Sequence, residues 1–399
     1  MMIRLPLLLA ASLALASAAA AAVEAPDLSP DLKINQIQVL GTHNSYHAAV
    51  DPHILAMMDG KLPSMGKIVA SLPEAARRQF LIDHPNDVSF SQALDYSHPT
   101  LTRQLDLGVR GLEIDVNPDP EGGAYADPAA YRILRAQGVS DLLPFDPATV
   151  SAPGLKILHM PDVDFRSTCP TFRSCIAEIR TWSDRHPGHV PIFVMVEAKV
   201  KSFPILPGSK PVPPFTPQTY DEIDRTILEG IPRDRIITPD DVRGSYPTLE
   251  AAVLAGAWPT LGRSRGKVMF LLMTATGHDG AADYLIGHPG LKGRVAFMDS
   301  QPGQAHAAFI LDDNAVARGD AIRDEVARGY FVRTRSDIET WEARINDPSR
   351  ARAAFASGGQ VVSTDYEVPP ADPAHPYQVT LPGGQAARCN PVSGPGPCR

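Results

Sequence analysis

Between residues 37 and 366 the chain alternates short apolar runs with longer segments whose apolar residues recur every three or four positions. The short runs are IQVLGTH (37–43), GLEIDVN (111–117), LKILHM (155–160), PIFVMVEAK (191–199), KVMFLLM (267–273), RVAFMDS (294–300), YFVRTRS (330–336) and VVSTDY (361–366). The longer segments, CIAEIRTWSDRH, YDEIDRTILEGI, TLEAAVLAGAW, AVARGDAIRDEVARG and DIETWEARINDPSRARAAFAS, carry the helical period, with acids or hydroxyl residues near several starts. The longest strands are apolar on both faces, as parallel strands covered by helices must be. Eight such runs predict an α/β chain folded as a single (β/α)8 TIM barrel. A doubly wound open sheet shares the alternation, and periodicity does not exclude it.

Two segments interrupt the pattern, 47 to about 100 and 118–154, both rich in Pro, Asp and Gly and both leaving the C-terminal end of a strand. In a barrel that end is the rim where active sites are built, so these long loops are expected to be walls or lids. The barrel is expected over residues 23–366, with 367–399 a Pro/Gly-rich tail pinned along the surface by its cysteines.

The first residues, MMIRLPLLLAASLALASAAAAA, read as a secretory signal peptide ending near residue 22, with one early cation, an apolar core and small residues suited to cleavage. A membrane anchor is the alternative, but the Leu5–Leu15 core is short of the ~20 apolar residues that span a bilayer. A secreted or periplasmic protein without a transmembrane segment is the expectation. The formal charge is −8 and loses only Arg4 with that segment. Such acidity argues against nucleic acid as a partner. The 4 cysteines form two close pairs, Cys169 with Cys175 and Cys389 with Cys398. An oxidising compartment invites two local disulfides, although sequence leaves three pairings open, with reduced thiols the alternative.

The polar residues of the strands collect at their C-terminal ends. His43 and Asn44 end the first, Glu113 and Asp115 lie in the second, His159 ends the third, and Glu197 and Lys199 end the fourth. Residues two apart in a strand share a face, so Glu113 lies beside Asp115 and Glu197 beside Lys199. Converging carboxylates repel unless something positive lies between them. Three carboxylates and the Asn44 amide, with no thiolate, suit a hard cation, Ca²⁺ or Mg²⁺. Taken singly, each acid is more simply a solvated loop residue or a helix cap, and each histidine a satisfied core residue; joint placement behind apolar runs is what changes the reading. Histidines flanking a cation site could serve proton transfer near neutral pH. Lys199 and Arg333 are candidate substrate contacts, Arg being suited to bidentate phosphate binding. For Lys267 and Arg335 an ion pair with a nearby carboxylate is the stronger reading.

GTHNSYH, LEIDV, LHM and VMVEAK, in that order, resemble the X-region motifs of phosphoinositide-specific phospholipase C, most closely the secreted calcium-dependent bacterial group, and GYFVRTRSD and VVSTDY resemble that group's late strands. The resemblance implies a TIM barrel with one Ca²⁺ at the rim. It further implies cleavage of a phospholipid at a membrane surface, between diacylglycerol and inositol phosphate, by attack of the inositol 2-hydroxyl. Carried over by motif, His43 and His159 are the catalytic histidines, Asn44, Glu113, Asp115 and Glu197 the calcium ligands, and Glu113 a further candidate for the base. No pleckstrin, EF-hand or C2 module is recognisable, which favours unphosphorylated phosphatidylinositol. Glycerophosphodiester phosphodiesterases are the nearest rival, but they typically carry His-Arg-Gly where this chain has His43-Asn44-Ser45. A catalytically silent barrel that binds lipid headgroups is a third reading.

Overall fold

The computed structural model describes residues 23, 28–61, 70, 74–201, 206–209, 211–371, 373–396 and 398. The expected signal peptide lies outside them. Strands β1 (Ile37–Thr42), β2 (Gly111–Asn117), β3 (Lys156–Ile157), β4 (Ile192–Ala198), β5 (Ile236–Ile237), β6 (Val268–Met273), β7 (Phe297–Met298), β8 (Phe309–Leu311), β9 (Phe331–Arg335), β10 (Val361–Thr364) and β11 (Arg388–Cys389) belong to one sheet. Its main path runs β5-β6-β4-β2-β1-β10-β9-β8, with every neighbouring pair parallel. The short β7 also joins β6 in parallel, and a lone parallel bridge from Asp299 to Phe309 carries its end across to β8. The curled sheet is thereby brought round on itself as a TIM-like barrel, with helices such as Phe172–Arg185, Pro217–Gly230 and Ala315–Arg328 in its connections.

One of the expected strands needs correction, and the wall strands Ile236–Ile237 and Phe309–Leu311 were not expected. LKILHM is not a wall strand: only Lys156 and Ile157 are extended, and they pair antiparallel with Asn117 and Val116 at the top of β2. The strand that takes its place in the wall is Phe309–Leu311, too short to stand out from its Gly- and Ala-rich approach. The helix expected over 337–357 is broken into Trp341–Arg344 and Ser349–Ser357, with Asn346 at φ 51° and Pro348 between them.

The register stratifies the barrel interior. In β4 the inward residues are Phe193, Met195 and Glu197, which align with Met269, Leu271 and Met273 of β6. Phe193 meets Phe331 of β9 across the lumen at 4.7 Å between ring centres. Because the pleat has period two, the residues above this floor on the same faces are Glu113 and Asp115 in β2, Arg333 and Arg335 in β9, and Ser363 in β10. Gly41 and Gly111 sit opposite each other in β1 and β2 and leave room for Val361, whose methyl would lie 2.7 Å and 2.4 Å from added Cβ atoms.

Among the described residues, the two long insertions pack together as walls. Their helices Pro52–Lys61 and Ala129–Ala136 share a satellite core with Val50, Ile54, Met58, Tyr131, Leu134 and Phe165. Asp51 ties the insertions together, accepting from the backbone N–H of Leu143 at 2.6 Å and from the Tyr131 hydroxyl at 3.3 Å. At the other end of the barrel, β11 pairs antiparallel with the start of β1, so the tail joins the sheet. Both disulfides form, Cys169–Cys175 and Cys389–Cys398.

Placing a methyl between Val361 and the β1 backbone overpacks the floor, so Gly111→Ala should lower stability by about 1–3 kcal/mol. Urea denaturation measures this, and an unchanged midpoint would show that the wall gives way at no cost.

Candidate active site

The motif GTHNSYH carries the end of β1 and the turn that leaves it, and Ser45 ties that turn to β2 and to the helix Leu101–Asp106. Ser45 N–H donates to the Glu113 carbonyl (2.9 Å), the Glu113 N–H donates back to Ser45 Oγ (2.8 Å), and Gln104 Nε2 donates to the Ser45 carbonyl (2.6 Å). Asn44 adopts φ 47°, a left-handed conformation that Asn tolerates better than most residues. Its Nδ2 donates to the Tyr96 hydroxyl (2.8 Å), and the Tyr46 hydroxyl lies 3.5 Å from its Oδ1.

Glu113, Asp115 and Glu197 converge beside this turn, each offering a carboxylate oxygen within 4.8 Å of the others. Glu113 and Asp115 are buried. Burial raises Glu113 to about 8, with Arg333 opposing and Asp115 and Glu197 adding to the rise; burial likewise raises Glu197, against the pull of Lys199. Asp115 Oδ1 is enclosed without a hydrogen-bond partner. Crowded oxygen donors, one of them unpaired, and no sulfur are what a hard divalent cation requires, so the residues fit calcium.

Cations of the chain itself hold the acids. Lys199 Nζ lies 2.9 Å from both Asp115 Oδ2 and Glu197 Oε1. Arg333, fully buried, bonds Glu113 and Asp313 and donates to Ser363 Oγ at 3.1 Å. The two expected substrate contacts are therefore engaged with the expected metal ligands. Arg335 is in the ion pair anticipated for it, with Asp365 at 2.9 Å, and Lys267 opens β6 at the far end from the site.

Each expected catalytic histidine has a carboxylate behind it. His43 Nδ1 donates to Asp365 Oδ1 at 3.0 Å, leaving Nε2 3.8 Å from Glu113 Oε1. Burial and the Arg335 charge push His43 down to about 3, against Asp365. His159 Nδ1 donates to Asp164 Oδ2 at 2.8 Å. Burial would raise Asp164, but the charge of His47 and hydrogen bonds from His159 and His47 bring it down. Behind His43, His98 donates from Nε2 to the His43 carbonyl (2.8 Å) and from Nδ1 to Glu367 (3.0 Å). Burial disfavours its charge, yet Glu367 and Asp365 raise His98 to about 10.

Asp365, Asp164, Asp313 and His98 were not among the residues expected from the sequence. Asp365 ends the run VVSTDY and obeys the same strand-end rule that selected Glu197, so that rule could have found it. The others lie in irregular segments where no period marks them.

A parallel barrel whose rim holds three carboxylates, an amide and two carboxylate-oriented histidines has the layout of a metal-dependent phosphodiesterase. The chain belongs to the family of Ca²⁺-dependent phosphoinositide phospholipase C, whose sequence model matches residues 32–391. Among solved structures it resembles a calcium-dependent phosphoinositol-specific phospholipase C from a Gram-negative bacterium, Pseudomonas sp., in its apo form, at 15% identity and TM-score 0.52, over 92% of this chain and 98% of that one. A myoinositol complex of the Pseudomonas sp. enzyme matches at 15% identity and TM-score 0.51, over 90% and 96% of the two chains. At this identity what is shared is the fold. No curated protein matches the chain. No helix among the described residues is long and apolar enough to cross a membrane.

His98 supplies a pH test. Its pKa is raised on folding, so its stabilising contribution is complete below the ordinary histidine value of about 6.5 and is lost as pH rises toward about 10. The stability gap between wild type and His98→Gln should narrow across that window in chemical denaturation. A gap independent of pH would contradict the charged pair with Glu367.

Proposed function

We propose that this protein cleaves phosphatidylinositol at a membrane surface, releasing diacylglycerol and a cyclic inositol phosphate. The observation that carries the reading is the meeting of Glu113, Asp115 and Glu197 within 4.8 Å, beside two histidines each held by its own carboxylate. Asn44, Glu113, Asp115 and Glu197 would hold one calcium ion. When bound, calcium supplies Lewis acidity, lowering the pKa of the attacking hydroxyl and countering the phosphate charge.

The remaining work falls to side chains. Because His43 donates a hydrogen bond from Nδ1–H to Asp365, its Nε2 is an acceptor on the side of Glu113, placed to take the proton of the inositol 2-hydroxyl. His159, 24% exposed in its side chain, can reach the departing oxygen of diacylglycerol and protonate it. Arg333 and Lys199 keep the three acids together, and in this reading they also meet the anionic headgroup. Residues 1–22 act as a signal peptide in this reading, and the two disulfides support export to an oxidising compartment.

Release of inositol phosphate from phosphatidylinositol vesicles should vanish with EGTA and return with Ca²⁺. Turnover equal in EGTA, or activity confined to glycerophosphodiesters, would reject the reading. His43→Ala and His159→Ala should each reduce kcat by about 100-fold or more, and wild-type rates in either would remove that histidine from the reaction.

A further inference from the structure

The second histidine of GTHNSYH has no part in the chemistry above. His47 is fully buried, and its ring stacks on Tyr96 with centres 4.3 Å apart and planes 18° apart. Its Nε2 lies 2.8 Å from Asp164 Oδ2, the same oxygen that receives His159 Nδ1 at 2.8 Å. Asp164 is also buried, and its Oδ1 and the Nδ1 of His47 have no hydrogen-bond partner. Burying a carboxylate with one oxygen unpaired is costly, so packing alone does not account for it.

The backbone around these groups is closed on both sides. Asp164 and Met160 exchange two N–H···O bonds of 2.9 Å, folding the residues after His159 back so that Asp164 stands under the ring. Thr168 N–H donates to the Tyr46 carbonyl at 2.8 Å, and His47 bridges to Ser167, which fixes this segment against the β1 turn. Of the three side chains only His159 reaches the surface, at 24% exposure against 0% for His47 and Asp164. The row therefore has an inner end and an outer end.

We propose that Asp164 and His47 are positioning residues for His159. Asp164 holds the Nδ1 proton of His159 so that Nε2 faces the leaving oxygen, and His47 fixes Asp164 by donating to the same carboxylate oxygen. The inference rests on His159 as the proton donor. In that step the P–O bond to diacylglycerol breaks with its electron pair passing to the glycerol oxygen. The Nε2 proton moves to that oxygen, and His159 is left neutral with Nδ1–H still on Asp164.

A change of leaving group separates positioning from folding. Inositol 1-(4-nitrophenyl phosphate) expels a stabilised anion that needs no proton, whereas phosphatidylinositol expels an alkoxide that does. With calcium present, His159→Ala and Asp164→Asn should lose at least tenfold more kcat on phosphatidylinositol than on the nitrophenyl ester. His47→Leu should show a smaller loss with the same selectivity. His47→Gln, whose amide can donate from the place of Nε2, should recover most of it. If His159→Ala is selective while Asp164→Asn and His47→Leu lose equal factors on both substrates, the proposal is overturned and the pair is structural. If His159→Ala itself is not selective, the proton-donor assignment falls and takes this inference with it, while calcium dependence stands or falls separately. Should Asp164→Asn not fold, the His47→Leu and His47→Gln comparison reads the same selectivity.

Discussion

Three carboxylates packed into the top of an apolar barrel repel one another, and the arrangement of the rim follows from keeping them there. Water cannot screen Glu113 and Asp115, because Phe193, Met195, Phe331 and Val361 fill the lumen beneath. Countercharge has to come from the chain or from a bound ion. The chain supplies Arg333 from β9 and Lys199 from beyond β4, and the debt is passed outward: Arg333 also holds Asp313, Arg335 holds Asp365, and Asp365 holds His43. Opposite charges thus alternate around the mouth, and the orientation of His43 is one consequence of that alternation. Removing Arg333 would leave the buried Glu113 without its ion-pair partner.

The insertions solve a different problem. His159 does not sit on a wall strand, so the rigidity that strands give Glu113 and Glu197 has to be built for it. Phe165, six residues further on, enters a core shared with Tyr131 and Phe145 at 4.9 Å ring separations, and Asp51 joins the two insertions from below. The Cys169–Cys175 bridge ties the same segment to the first turn of the helix Phe172–Arg185. What reads in sequence as long loop is a buttress for one imidazole.

Those features that depend on period were readable from residues alone. Strands apolar on both faces, acids two apart, and polar residues gathered at strand ends led to the barrel, to the cluster of Glu113, Asp115 and Glu197, and to His43 and His159 as candidates. Features that depend on tertiary closure were not. Ile157 and Leu158 look like any buried strand residues, and nothing local says that they fold back on Val116 instead of entering the wall. Phe309–Leu311 is three residues long, and its pairing with Phe331–Arg333 supplies the extended state that its own composition does not announce. Asp164 joins His159, five residues before it, to His47, 117 residues before it, and His98 meets Glu367 269 residues further on, and no motif spans the longer distances.

The His43–Asp365 pair joins positions 322 residues apart, because the first wall strand pairs with the last. These two strands cannot pair until the chain through β10 has been made. A nascent or truncated chain that stops short of Asp365 holds His43 without its orienting partner and β1 without its neighbour. If His43 acts in the reaction as proposed, competence requires the chain at least as far as Asp365, where its orienting partner stands.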